Sequence, residues 1–313
     1  MMEIVRLDAG AVRENVSMAR AIAAVRQAFL DYGRGEFEMP LRTALADGQF
    51  LVMTAHHRPS RSAMVKTLSL NFGSRTPSIV GTVTWTDLDR TGQIAADASA
   101  VTALRTGAVS GVATDLLAPP RADTCTVVGA GAQGADQARA VHAVRPLREL
   151  TLVDRDLTRA ETLAAQLAAD LPGTKIGVSS DAEEAVAGRD IICCATTTRE
   201  PLFRAEALTP QAHVNAIGAF RPDMRELPDH LLATSYLVVD DLSAVLEESG
   251  EIIHAIGTGT LRQDDLVPLS DALQRNSFPD TRTVFKSVGL AVQDWAIARL
   301  LADQFLRQNA ETP

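Results

Sequence analysis

The stretch that decides the fold is Thr124-Cys-Thr-Val-Val-Gly-Ala-Gly-Ala-Gln-Gly134, followed by Leu150-Thr-Leu-Val-Asp154. The apolar and β-branched residues before Gly129 predict a buried strand, and a helix is predicted to begin near Gln133. A glycine-rich loop between a strand and a helix, with an acidic residue ending the next strand, is typical of a dinucleotide-binding βαβ unit. The spacing agrees with this prediction, since Asp154 lies about 20 residues after Gly134.

Each glycine of this loop has its own predicted role. Gly129 permits the tight turn, Gly131 lets a pyrophosphate approach the backbone, and Gly134 lets the helix pack close to the strand. Free amides and the dipole at the helix N-terminus then favour the phosphate anions. Thr196 follows the predicted strand 191–195 and is assigned to the same site. The predicted cofactor-binding residues are Gly129, Ala130, Gly131, Ala132, Gln133, Gly134, Asp154, Arg155, Arg159 and Thr196.

The choice between the two nicotinamide cofactors depends on the residues that follow the second strand. Asp154 is placed to accept hydrogen bonds from a ribose diol and would repel a 2′-phosphate, which favours NAD(H). Arg155 and Arg159 leave NADP(H) open, because an adjacent guanidinium can pair with that phosphate.

Composition and charge exclude several classes of protein. The chain has 313 residues, and 30 basic against 39 acidic side chains give a formal net charge of −9, without the basic footprint of a nucleic-acid binder. No apolar run approaches the length of a membrane span, and the charged N-terminus does not resemble a signal peptide. Three cysteines cannot form a disulfide framework. We expect a soluble cytoplasmic protein that acts on a small molecule, not on membranes or nucleic acid.

The pattern of elements predicts an α/β protein with two domains. After Pro119-Pro120, alternating strands and helices predict a doubly wound, parallel, Rossmann-type domain over residues 119–287. Before it, mixed strands and helices predict an α+β domain over residues 1–118. The final apolar segment predicts a helix that could complete either domain.

Motifs of other enzyme classes are missing from the sequence. There is no GxSxG elbow, P-loop lysine, HExxH or CxxC motif, and none of the six histidines has metal-ligand spacing to a cysteine or a second histidine beyond the adjacent pair His56 and His57. We therefore expect no metal and no hydrolase triad.

Three cations in the first domain have apolar neighbours. Lys66 shares a face of a predicted strand with Met64 and Leu68, and it either extends to solvent or serves catalysis. Arg105, in a long predicted helix, binds a substrate carboxylate or forms an internal salt bridge. Arg42 is either a surface arginine at the start of a strand or a member of the same site. Together they indicate a small carboxylic acid as substrate of a nicotinamide-dependent oxidoreductase.

Over nearly its full length the chain resembles the ornithine cyclodeaminase/mu-crystallin family. The stretches that carry the resemblance are Val65-Lys66, Leu104-Arg-Thr-Gly-Ala108, Gly129-Ala-Gly-Ala-Gln133, Asn215-Ala-Ile-Gly218 and Lys286-Ser-Val-Gly289. It implies a dinucleotide-binding domain and a substrate domain that forms a homodimer and is completed by the C-terminal segment 288–313. It also implies chemistry through an imine next to a carboxylate, with Lys66 beside the substrate and Arg42 and Arg105 binding the carboxylate.

One departure from the family pattern affects the expected activity. Ornithine cyclodeaminases carry an aspartate soon after the Asn-Ala-Ile-Gly stretch, where this chain has Phe220. Phenylalanine cannot accept a proton, so the resemblance favours ketimine reductases that act on cyclic 2-imino acids, with Phe220 in the substrate pocket. Alternatives that stay open are a dehydrogenase or synthase of N-substituted amino acids, an ornithine cyclodeaminase and a non-catalytic ligand-binding protein.

Overall fold

The fold was described from a computed structural model that covers residues 3–71, 79–90 and 92–310. Its strands are β1 Glu3–Leu7, β2 Phe37–Glu38, β3 Thr43–Leu45, β4 Phe50–His57, β5 Ser62–Leu70, β6 Ile79–Asp87, β7 Gly92–Asp97, β8 Thr124–Val128, β9 Glu149–Val153, β10 Lys175–Ser179, β11 Ile191–Cys194, β12 His213–Ala216, β13 Tyr236–Val239, β14 Leu266–Pro268 and β15 Thr283–Lys286. Its α-helices are α1 Ala9–Asn15, α2 Met18–Gly33, α3 Ala98–Leu117, α4 Gly134–Val144, α5 Leu157–Asp170, α6 Ala182–Val186, α7 Asp229–Ala233, α8 Leu242–Glu248, α9 Gly250–Gly257, α10 Leu269–Ala272 and α11 Ala291–Ala310. Among these described residues, no helix is both long and apolar enough to cross a lipid bilayer.

The chain divides into two compact units. Unit 1 comprises Met1–Val109 and Leu290–Pro313, and unit 2 comprises Ser110–Gly289. The first division lies inside α3, nine residues before the boundary predicted at residue 118, because the helix continues through the division and ends only before the prolines. The second division lies two residues after the predicted one.

Unit 1 is built on a mixed sheet in the order β1-β7-β6-β5-β4-β2, with β3 also paired to β4. β1 is parallel to β7, and the other pairs are antiparallel. Residues of β4 and β5 alternate between buried and less buried positions, as expected for strands with one covered face. Helix α11 covers β4–β7 and also packs against α2, so the end of the described chain completes the core of unit 1.

Unit 2 contains an entirely parallel eight-stranded sheet in the order β10-β9-β8-β11-β12-β15-β13-β14. The connections from β8 lead to β9 on one side and then to β11 on the other, so β8 lies at a topological switch point. Ligands of doubly wound sheets bind at the carboxyl ends of the strands at such a point. The predicted α/β fold with a Rossmann-type domain is confirmed.

Strands with strong local signals agree closely with the sequence prediction, and several others were missed. β8 has the predicted bounds, β11 ends one residue before the predicted end at residue 195, and β3 begins directly after Arg42, where a strand start was considered. The missed strands are β1, β2, β7, β14 and β15. β15 lies between β12 and β13 in the sheet although it is only four residues long, and its burial on both faces follows from that central place. The three cysteines are free and buried.

Candidate active site

Lys66 is a buried cation on the covered face of β5. Only 1% of the residue is exposed, and its neighbours on that face, Met64 and Leu68, are buried with it. Its ammonium therefore does not extend to solvent, which removes one of the two interpretations left open by the sequence. Nζ donates a hydrogen bond of 2.9 Å to Oδ1 of Asp294 on α11, a residue 228 positions further along the chain.

Arg105 shares the carboxylate that binds Lys66. Its Nε lies 3.5 Å from Oδ1 of Asp294, and its Nη1 donates a hydrogen bond of 2.5 Å to Oε1 of Gln293. All four of these side chains belong to unit 1 and are buried. The internal salt bridge considered for Arg105 is therefore present, and the guanidinium forms it together with a second cation.

The pKa of Lys66 is lowered to about 8, first by burial and then by the charges of Arg105 and Arg42, while Asp294 acts in the opposite direction. Arg42 itself is half-buried and immediately precedes β3. Its charge acts on Lys66, so it is electrostatically part of this group. A lysine whose pKa lies near 8 can both hold and release a proton close to neutral pH.

Two buried polar atoms beside this group lack hydrogen-bond partners among the described residues. They are Oδ2 of Asp294 and Nε2 of Gln293. Buried polar atoms cost free energy unless a partner satisfies them, and in native proteins they commonly point to a ligand or an ordered water. A polar ligand beside Lys66 would satisfy both atoms.

In unit 2, the predicted cofactor loop joins β8 to α4. Two of its three glycines have no room for a side chain, whereas Gly131 has room beside it. Gly129 has φ +113°, and an added Cβ would lie 2.5 Å from the carbonyl oxygen of Ala195. A Cβ on Gly134 would lie 2.5 Å from the carbonyl oxygen of Gly129. At Gly131, by contrast, the nearest atom is Nη2 of Arg159 at 3.7 Å, which leaves room for a ligand at the backbone.

The acidic residue at the end of β9 holds the same loop. Oδ2 of Asp154 accepts a hydrogen bond of 3.0 Å from the amide of Ala130, and Oδ1 accepts one from Asp156. Arg155 and Arg159 are exposed. Gln133 is the N-cap of α4 and its side chain makes no capping bond, so the start of this helix is not occupied by its own side chain. The loop from Gly129 to Gln133, including Ala132, thus fits a phosphate group.

Glu226 connects the ends of β11 and β12. Its Oε1 accepts hydrogen bonds from the amide and the hydroxyl of Thr196, and its Oε2 accepts from the amides of Gly218 and Ala219. Gly218 has no space for a side chain, since an added Cβ would lie 2.2 Å from the carbonyl oxygen of Thr196. One buried carboxylate therefore fixes both segments at the carboxyl edge of the sheet.

A second buried ion pair, formed by Lys286 and Glu251, contacts this segment. Lys286 donates to the carbonyl oxygen of Ala219 at 2.5 Å, and its Nζ lies 2.7 Å from Oε1 of Glu251. Burial and the charge of Glu251 raise the pKa of Glu226 to about 7, and Lys286 and the donors at Thr196 oppose this shift. Phe220, half-buried, follows directly after the residues held by this network.

Sequence reasoning missed the carboxylates of both groups. Asp294 and Gln293 lie on the predicted last helix, but their helical face gives no local sign of contact with Lys66. Glu226, Glu251 and Lys286 are buried charges on three separate segments, and only Lys286 lies in a motif that carried the resemblance. Asp294 lies among apolar residues near the start of this helix, and that was the available signal for it.

The sequence profile of the ornithine cyclodeaminase/mu-crystallin family matches residues 2–309. The chain belongs to this family, which confirms the predicted membership.

Curated relatives carry different activities in their names. The chain is 35% identical over 211 residues to ketimine reductase mu-crystallin of Mus musculus, a match that covers 67% of this chain but only 64% of the mouse protein, less than two thirds of its length. It is 33% identical over 321 residues to Delta(1)-pyrroline-2-carboxylate reductase of Bacillus cereus, covering 97% of each. It is 38% identical over 243 residues to L-lysine cyclodeaminase of Streptomyces rapamycinicus, covering 73% of this chain and 70% of that protein.

A solved structure with the same fold is the Delta(1)-pyrroline-2-carboxylate reductase of Thermococcus litoralis in complex with NADH and L-proline. The TM-score is 0.91 at 30% identity, with 97% of this chain and 98% of that chain covered.

Proposed function

We propose that this protein is a cytoplasmic NAD(P)H-dependent oxidoreductase that reduces small 2-imino acids to amino acids. Δ1-Pyrroline-2-carboxylate and Δ1-piperideine-2-carboxylate are the candidate substrates. The observation that carries the proposal is the buried group of Lys66, Arg105 and Asp294, in which two cations share one carboxylate. A carboxylate of the substrate complements such a group, and Arg42 adds further positive charge.

The residues of unit 2 fit a nicotinamide dinucleotide. The backbone at Gly131 is approachable, α4 begins without a side-chain cap, and Arg159 lies beside the loop. We infer that Asp154 binds the ribose diol of the cofactor, and we therefore favour NAD(H) over NADP(H). When bound, the reduced cofactor supplies the hydride that adds to the imine carbon, and the imine nitrogen gains a proton.

Lys66 is our candidate for the group that handles this proton. Its ammonium is held in one place by Asp294, and its pKa near 8 leaves it mainly protonated at neutral pH. We propose that it donates to the imine nitrogen or binds the carboxylate, while Arg42 and Arg105 hold the carboxylate. The exclusion of water around Lys66 strengthens each of these interactions.

A cyclodeaminase is the main competing function, since one relative carries that name. Phe220 supports the reductase, because it stands where cyclodeaminases carry an aspartate and an apolar ring cannot accept a proton. A dehydrogenase of N-substituted amino acids would use the same cations with a larger substrate. A ligand-binding protein without catalysis would bind a carboxylate through the same cations but would catalyse neither imine reduction nor ammonia release.

Two parallel assays with the purified chain test the proposal. One follows oxidation of NADH or NADPH with cyclic and open-chain 2-imino acids, and the other follows ammonia release from L-ornithine or L-lysine with NAD. We expect turnover in the first assay alone, lost in Lys66→Ala although the variant still binds cofactor. Lys175→Ala is the matched control, because Lys175 is exposed on β10.

Ammonia release without imine reduction would replace the proposal with cyclodeamination. Normal activity of Lys66→Ala would show that Lys66 has no part in the reaction.

We also propose that the protein is a homodimer formed through unit 1. One face of its sheet carries a row that holds three exposed apolar side chains and one serine, because Leu45 pairs with Phe50, Phe50 with Ser69, and Ser69 with Val80 across four strands. Leu45, Phe50 and Val80 are each more than half exposed. Extended apolar patches of this kind commonly mark protein interfaces.

A further inference from the structure

Three side chains of the types that bind metals meet in unit 1, outside the groups proposed for catalysis. Asp31 lies near the end of α2, Glu36 immediately precedes β2, and His57 ends β4. One potential ligand atom from each lies within 4.8 Å of the other two. His57 is only 6% exposed and Asp31 is also buried, whereas Glu36 is partly exposed and gives the cluster access to solvent.

The distances in this cluster are too long for hydrogen bonds. Nε2 of His57 lies 3.6 Å from Oδ2 of Asp31 and 3.6 Å from Oε2 of Glu36. Within the described ranges Nε2 has no hydrogen-bond partner, although it is buried. Two ligand atoms each about 2.1 Å from a tetrahedral ion are about 3.4 Å apart. The two distances from Nε2 are thus close to that of atoms sharing one ion, and the two carboxylate oxygens lie within 4.8 Å of each other.

We propose that Oδ2 of Asp31, Oε2 of Glu36 and Nε2 of His57 bind a divalent transition-metal ion of the Zn²⁺ class. A water on the exposed side of Glu36 would be the fourth ligand. One imidazole with two carboxylates suits Zn²⁺ and its neighbours, whereas Ca²⁺ and Mg²⁺ prefer sites made of oxygen alone.

The surroundings orient the histidine as metal sites require. Nδ1 of His57 has two contacts with Ser60: it lies 2.7 Å from Oγ, and it accepts a longer hydrogen bond of 3.3 Å from the backbone amide. With the metal on Nε2, Nδ1 would carry the proton and donate it to Oγ of Ser60, which lies 2.8 Å from Oγ of Ser62. A histidine that binds a metal through one nitrogen usually forms a hydrogen bond through the other.

Contacts on the opposite side hold the carboxylates. Arg34 donates to Oδ1 of Asp31 and, at 2.8 Å, to Oε1 of Glu36, and Gln27 donates to Oδ1 of Asp31 at 2.6 Å. Arg34 also donates a hydrogen bond of 3.3 Å to Oε2 of Glu36, so it contacts one of the proposed ligand atoms itself. Its guanidinium offsets part of the carboxylate charge, so we expect micromolar rather than nanomolar affinity.

A bound ion would stabilise the part of unit 1 that packs close to α11. The ring of His57 contacts the ring of Trp295, with centroids 4.7 Å apart, and Trp295 directly follows Asp294. The ion would link α2, β2 and β4 beneath this helix, which makes its role structural. The sequence expectation of no metal considered spacing between histidines and cysteines, and these ligands come from three separate segments.

Binding is tested on the full chain without an affinity tag, after removal of metals by a chelator. We expect calorimetry with Zn²⁺ to give one equivalent bound, Co²⁺ to give the visible absorption of a tetrahedral site, and Zn²⁺ to raise Tm. Glu36→Gln, an isosteric change at a partly exposed residue, should weaken Zn²⁺ binding at least about tenfold. His57→Gln should abolish the Co²⁺ spectrum.

His56→Ala is the matched control. His56 is the adjacent residue of β4, is exposed, and contacts Glu38 at 3.3 Å, so its loss should leave the Zn²⁺ affinity unchanged. Absence of stoichiometric binding at a large excess of Zn²⁺ would overturn the proposal. So would equal affinity of the parent chain and Glu36→Gln, because the ion would then bind elsewhere.

Discussion

Lys66 and Asp294 form a buried ion pair whose balance determines when the lysine is charged. Desolvation disfavours the ammonium, and the carboxylate 2.9 Å away favours it. With a pKa of about 8, Lys66 loses its proton at lower pH than an ordinary lysine. If Lys66 supplies the proton to the imine, kcat/KM should fall as the pH rises through about 8.

The variant Asp294→Asn should move this decline to lower pH. Asp294 raises the pKa of Lys66, so an uncharged isostere lowers it further, and the ammonium is lost earlier. The measurement is the pH profile of kcat/KM for imine reduction, with Tm recorded because the loss of a buried partner also destabilises the fold.

Asp303→Asn is the control for this prediction, since Asp303 lies on the same helix, is partly exposed and pairs with Arg90. Its profile should match the parent. If the pH profile of kcat/KM in Asp294→Asn were unshifted, Asp294 would have no part in the proton transfer.

At the scale of elements, Glu226 ties the segment after β11 to the segment after β12. Four donors converge on its two oxygens, three of them backbone amides. In Glu226→Gln, one carboxylate oxygen becomes an amide nitrogen. That nitrogen cannot accept the hydrogen bonds that the oxygen accepted. Because those donors are buried, we expect the free energy of unfolding to fall by about 1–3 kcal/mol.

Urea denaturation of the parent and the variant measures this loss. Glu200→Gln is the control, because Glu200 is exposed on the segment that follows β11, and it should unfold like the parent. Equal stability of all three proteins would mean that the convergent hydrogen bonds contribute little to the fold.

Local signals predicted the cofactor-loop region of unit 2 well because its elements are complete within a short window. The apolar strand β8, the glycine turn and the start of α4 are all encoded within residues 124–134. The four residues of β15 carry no comparable signal, since their central place depends on pairing with β12 and β13. The contact between Lys66 and Asp294 was equally invisible, because it joins residues 228 positions apart.

At the scale of the whole molecule, the row of exposed apolar side chains on the unit 1 sheet predicts self-association. In Phe50→Glu combined with Val80→Glu, charges replace two apolar side chains that are 51% and 57% exposed. Burying these charges in an interface is unfavourable, so we expect a dimeric parent chain and a monomeric variant. Analytical ultracentrifugation distinguishes the two states.

Leu88→Glu serves as the control for this surface, because Leu88 is 74% exposed but lies outside the row of paired residues. It should remain dimeric. A monomeric parent chain, or a double variant that remains dimeric, would show that the row is not a dimer interface.

The discontinuity of unit 1 has a consequence for biosynthesis. On the ribosome, residues 110–289 leave the exit tunnel before α11 does, so the parallel-sheet unit can begin to fold while the β4–β7 sheet still lacks the helix that covers it. During that interval the nascent chain exposes the side of β5 that carries Lys66, without its carboxylate partner. The last helix therefore closes the hydrophobic core and supplies the carboxylate partner of Lys66 in the same late step.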